Sequence, residues 1–174
     1  MKQSNRWLGG LALALALTGC GTLKAAESSD PYLRKGIRMN VASMNYVNRA
    51  VHFRIDDGYN SGGIANAGSP NDPWMGGPST CCFTITDLNK PFKIEAKWVP
   101  IREDSVMGPD GDYIRGKVLV PEETKVIFAK LPQRPPKVLK GDPMNSEDAV
   151  CVIFKSMDVV ELKYSEFGCK QRVD

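Results

Sequence analysis

Phe92-Lys93-Ile94-Glu95-Ala96-Lys97-Trp98 alternates apolar and charged side chains without a break. Successive side chains of an extended chain point to opposite faces. The pattern therefore buries Phe92, Ile94, Ala96 and Trp98 and exposes three charges, as in a half-buried β-strand. The same period of two returns upstream, where Val51, Phe53 and Ile55 alternate with His52, Arg54 and Asp56. Residues 36–47 read as a strand turning at Asn48-Arg49, and residues 79–86 as another, with Phe83 and Ile85 on the face of Cys81. Leu88-Asn89-Lys90-Pro91 suits a hairpin connection into the quoted strand. Further strands are expected over residues 113–120, 125–131, 149–155 and 159–164, with 167–170 adding an edge. Twelve prolines and sixteen glycines leave few stretches long enough for a helix. Only residues 145–149, opened by Asn145 and Ser146, suggest a helical turn. About eight short strands between turn signals predict an all-β domain, either an antiparallel sandwich or a partly closed barrel.

Three connecting stretches stand apart from the strands. Residues 57–78 are rich in glycine and carry Tyr59, Trp74 and Met75, which reads as one long irregular loop. Residues 100–112 form a second loop holding Arg102, Glu103, Asp104, Asp110 and Asp112. Residues 132–143, rich in proline and lysine, are expected to run extended across the surface.

The N-terminus has the organisation of an export signal. Lys2 and Arg6 precede an apolar run over residues 7–18, too short to remain as a membrane span. It ends in Leu17-Thr18-Gly19-Cys20, the pattern of a lipobox, which predicts cleavage before Cys20 and acylation of its thiol. Several fatty chains on one cysteine hold a protein far more firmly than one. Gly21 stands where Asp would signal retention in the inner membrane, so a periplasmic chain anchored at the outer membrane is expected. The expected organisation is a signal peptide over 1–19, a lipidated Cys20 with a polar tether over 20–35, and one β domain over 36–174. Loss of Lys2 and Arg6 takes 23 basic residues to 21 against 20 acidic. Near-neutral charge without a basic stripe argues against a nucleic-acid partner.

With Cys20 taken by lipid, Cys81, Cys82, Cys151 and Cys169 remain, an even number in an exported chain, and two disulfides are expected. Neighbouring Cys81 and Cys82 would close a strained ring if bonded to each other. Each is therefore expected to reach one of Cys151 and Cys169, with the pairing left open. No Cys-x-x-Cys spacing points to a metal.

Catalytic signatures are missing from the sequence. His52 is the single histidine and belongs to the polar face of its strand; no Gly-x-Ser-x-Gly is present. Asp56-Asp57-Gly58 and Asp110-Gly111-Asp112 lack the ordered oxygen series of a calcium loop and suit turns. No phosphate-binding or dinucleotide loop occurs, so neither a metal nor a cofactor is expected. A rigid β scaffold with polar and aromatic loops, tied to a membrane, fits a binding protein rather than an enzyme.

The run Asn45-Tyr46-Val47-x-Arg49, the later Gly62-Gly63, the segment Gly76-Gly77-x-x-x-Cys81-Cys82 and the strand ending in Trp98 together resemble a family of small bacterial lipoproteins. That family was long known only as a domain of unknown function. The resemblance covers residues 36–100. It departs after the cysteines, where Thr84-Ile85-Thr86-Asp87-Leu88 and Phe92 stand in place of a Leu-Pro step and a Trp. Genes of this family often lie beside those of lipase toxins delivered by type VI secretion. The resemblance therefore implies an immunity protein whose partner is a phospholipase effector, with phospholipase D favoured over phospholipase A. An envelope or secretion-apparatus assembly lipoprotein is the alternative. Phospholipases of the D type use a basic phosphate pocket, so carboxylates and aromatics are the expected blocking groups. Loop composition offers Asp56, Asp57, Tyr59, Trp74 and Met75 first, and Glu103, Asp104 and Asp110 second.

Overall fold

The computed structural model describes residues 36–137, 146–166, 168 and 169, with residues 77–82 described by their backbone alone. The proposed signal peptide, Cys20 and the tether lie outside the described residues, as do residues 138–145 and part of the 167–170 edge. The strands are β1 (Ile37–Asn45), β2 (Val51–Ile55), β3 (Ser61–Ala65), β4 (Trp74–Ile85), β5 (Phe92–Trp98), β6 (Ile101–Arg102), β7 (Val106–Met107), β8 (Tyr113–Ile114), β9 (Val118–Val120), β10 (Glu123–Ala129), β11 (Ala149–Phe154) and β12 (Val160–Ser165). The fold is all-β, and it is a sandwich rather than a closed barrel. One sheet has the order β12-β11-β1-β4 and the other β10-β5-β2-β3, while β6-β9 and β7-β8 form separate two-stranded ribbons.

Alternation decides which side of each sheet enters the core. In β5, Phe92, Ile94, Ala96 and Trp98 are buried while Lys93, Glu95 and Lys97 are exposed, and β2 repeats the pattern. The two inner faces meet through aromatic rings: Phe154 packs on Phe53 at 5.3 Å and edge-on to Trp98 at 5.7 Å, and Phe83 meets Phe92 at 4.8 Å. Such tilted and edge-on contacts match the ring quadrupoles and add to the apolar area buried.

Strand β11, Ala-Val-Cys-Val-Ile-Phe, is buried on both faces and shows no alternation. It lies parallel to β1, with Ala42 opposite Cys151, and it is the interior position of the sheet that accounts for the unbroken apolar run. Its inner residues join the main core. Cys151 and Ile153 join a second small cluster with Ala42, Met44 and Cys169 on the outer face.

Four expectations are corrected. Cys151 and Cys169 are bonded to each other, with Cα atoms 5.1 Å apart, so neither Cys81 nor Cys82 reaches them. The reason is topological. Cys81 on β4 stands opposite Asn40 of β1, and β11 lies on the far side of β1. That leaves about two strand spacings, roughly 10 Å, between the backbones, more than a disulfide spans. The hairpin expected between the strands at 79–86 and 92–98 is instead a crossing between sheets, since β4 pairs with β1 and β5 with β2 and β10. The supposed loop over 57–78 contains β3 and the start of β4. The stretch after Ser146 enters β11 without a helical turn.

Candidate functional site

Two adjoining surfaces carry the exposed chemistry: the outer face of the β10-β5-β2-β3 sheet, and an arm that leaves the sandwich between β5 and β10. On the sheet, cross-strand register sets the rows. His52 stands between Ile64 and Lys97, and Arg54 between Gly62 and Glu95. Gly62 has a steric reason. A Cβ there would overlap the Phe53 carbonyl, so only glycine lets β3 lie this close to β2. Beside Gly62 and Gly63 lies an open groove of about 630 Å³, lined in part by His52, Arg54, Asn60, Glu95, Lys97 and Glu122. Lys97 pairs with Glu122 at 3.0 Å across the groove's end. An open lining that mixes charged side chains with Ile64, Val99 and Pro100 differs from the enclosed apolar pocket that grips a small molecule, and suits contact with another surface. Among the described residues, no three His, Cys, Asp or Glu side chains are grouped so as to hold a metal ion.

The arm runs from Ile101 to Val120. Sequence reading expected a loop over 100–112 followed by one strand; the structure folds both into a single irregular hairpin. β6 pairs with β9 at its root and β7 with β8 at its tip. Between the two ribbons the Glu103 amide donates to the Lys117 carbonyl at 2.9 Å. Gly116 has no Cβ to overlap the Glu103 carbonyl, which lets the two legs close up there. All residues of the arm except Gly108 and Gly116 are exposed, including Ile101, Val106, Met107, Tyr113, Ile114, Val118, Leu119 and Val120. Single exposed apolar residues are ordinary. Eight on one projecting element mark a contact surface.

Arg49 fixes the arm's root. Its side chain is buried, and the guanidinium donates to the Val99 carbonyl at 2.7 Å, to the Trp98 carbonyl at 3.3 Å and to the Pro121 carbonyl. Glu123 lies 3.8 Å from it. One cation thus ties together the strand that enters the arm and the segment that leaves it, a task that needs the planar fork of arginine. Asn45 in turn holds the Arg49 backbone. Its amide donates to the Arg49 carbonyl at 2.8 Å and to that of Asn66 at 2.7 Å, while its oxygen accepts the Val47 amide at 2.9 Å. From sequence, Asn45 ends a strand, Arg49 belongs to a turn and both carry the family resemblance; their shared short run is the one available signal of this clamp.

The expected blocking residues separate into different places. Asp56, Asp57 and Tyr59 lie in the turn after β2, at one end of the strands. Trp74 pairs with Asn45 at the other end, where the arm also begins. Asp56 and Tyr59 are exposed, with Asp56 beside Arg54, Lys93 and Glu95. Asp57 turns inward and accepts the Ser61 hydroxyl at 2.7 Å and the amides of Tyr59, Ser61 and Thr84. Partial burial opposes its charge. The hydrogen bonds from Ser61, Tyr59 and Thr84 outweigh that and hold the carboxyl below its ordinary value. Trp74 packs half-buried against the core and Met75 is exposed on β4. Glu103, Asp104 and Asp110 are exposed on the arm.

No protein-family model, no curated protein and no solved structure matches the chain.

Proposed function

We propose that this chain is a periplasmic immunity protein, lipid-anchored through Cys20, that binds and inhibits a phospholipase effector of type VI secretion, D type favoured. The observation that carries the reading is the arm over residues 101–120, an exposed apolar and acidic element clamped at its root to a rigid sandwich. An inhibitor gains from such rigidity, because a preorganised element loses little conformational entropy on binding. The acids on the arm suit the basic pocket in which a phospholipase D holds phosphate, and its apolar residues suit the path of the acyl chains. The lipobox supports a station at the membrane such a toxin attacks, and the family resemblance supports the toxin's class.

Targeting the effector of the producing strain to the periplasm of a sensitive host should stop growth, and co-expression of the full chain should restore it. Restoration should disappear when residues 2–19 are deleted, so that the protein lacks its export signal and remains in the cytoplasm. Failure of the full chain to protect against any phospholipase effector of the strain, with an assembly defect on its deletion, would replace immunity with an envelope-assembly role.

A further inference from the structure

The tip ribbon of the arm has no polar face. Val106 stands opposite Ile114 and Met107 opposite Tyr113. Directly opposed residues share a face and successive ones alternate, so one apolar pair occupies each side of the ribbon. Val106 is 61% exposed, Met107 64%, Tyr113 72% and Ile114 55%, so both sides are bare. A ribbon that lies flat on a partner needs one apolar face and keeps a polar one toward water. Two bare apolar faces need an apolar wall on each side. Charge restricts the occupant further. Residues 105–114, the tip of the arm, carry Asp110 and Asp112 and no lysine or arginine; Glu103 and Asp104 lie lower, level with Arg115 and Lys117. Anionic lipid would repel such a tip, whereas a protein cleft with a cationic floor would attract it.

We infer that the tip ribbon is a two-faced wedge that enters a cleft of its protein partner, with apolar walls gripping both faces and a lysine- or arginine-lined floor meeting Asp110 and Asp112. This deepens the inhibitor reading and rests on it for the partner's identity as a phospholipase, though the geometry of the wedge stands apart from that identity. The test places a photo-crosslinking residue, p-benzoylphenylalanine, in the full lipidated chain, at Val106 or Ile114 for one face and at Met107 or Tyr113 for the other. Crosslinking is carried out in the producing cells, and the trapped peptides are sequenced. The wedge predicts one and the same polypeptide trapped from both faces, through two separate apolar segments. Joint substitution Asp110→Lys and Asp112→Lys should lower that yield at least tenfold. Links from a single face, links only to lipid or to a second copy of this chain, or no links at all would overturn it. A partner trapped from both faces that is not a phospholipase would keep the wedge and remove the immunity reading.

Discussion

The Asp57 carboxylate collects four donors, two from Ser61 and one each from Tyr59 and Thr84, and through them ties the β2–β3 turn to β4. Hydrogen bonds to a charged acceptor contribute about 1.5–3 kcal/mol each before screening. Asp57 is only partly buried, so Asp57→Asn should lower unfolding free energy by about 1–2 kcal/mol at pH 7. The pH dependence has a definite sign. A carboxyl held below its ordinary value stabilises the fold above that value, and the contribution is lost as pH falls through the lowered folded pKa. Urea titrations at pH 7, 5 and 3 should therefore show the gap between wild type and Asp57→Asn closing at the acid end. A gap that stays constant would mean that the charge of Asp57 does not matter. Sequence alone presented this residue as a free loop acid, because Asp followed by Gly suits an exposed turn as well as a turn braced from inside. Trp98 was legible, since its alternation forced it inward. Arg49 was not, because nothing local marks a cation whose acceptors are carbonyls 49, 50 and 72 residues away.

At the level of elements, β2, β5, β10 and β12 lie close to where alternation put them, and β11 where its unbroken apolar run put it. The arm was hidden because it shows neither pattern. Its strands are two or three residues long, interrupted at Gly108 and Gly116, and face solvent, so no buried stripe disciplines their sequence. Its orientation depends on the Arg49 clamp. Lysine keeps the charge but offers a single ammonium in place of the fork, so Arg49→Lys should free at least one carbonyl at the root. Hydrogen–deuterium exchange should then rise across residues 99–122 while amides of β1, β5 and β11 keep their protection. Uniform loosening of the whole domain would show instead that Arg49 supports the core rather than the arm.

For the molecule as a whole, the sandwich was legible as a class but its pairing was not. Alternation says which residues face inward, yet says little about which strand is a neighbour. The parallel β1–β11 pair and the β4–β5 crossing therefore emerge only in three dimensions. The same blindness misassigned the cysteines. The Cys151–Cys169 bond closes an 18-residue span over the outer face of the β12-β11-β1-β4 sheet, and a loop of that size contributes about 3 kcal/mol. Replacing both cysteines with Ser should lower Tm by on the order of 10 °C in a domain of this size, measured by calorimetry under oxidising conditions. An unchanged Tm would show that the two core clusters stabilise the fold without the cross-link.

If this body serves to present its arm to a phospholipase, as proposed, the arm must carry the inhibition. The most direct test titrates the purified phospholipase effector of the producing strain against phospholipid vesicles, with the intact chain and with a variant whose residues 103–117 are replaced by a short Gly-Ser turn. The intact chain should inhibit near-stoichiometrically. The shortened arm should lose at least a hundredfold in inhibitory potency, about 2.7 kcal/mol or more, while its melting curve stays that of the parent. Equal inhibition by the two proteins would contradict that proposal.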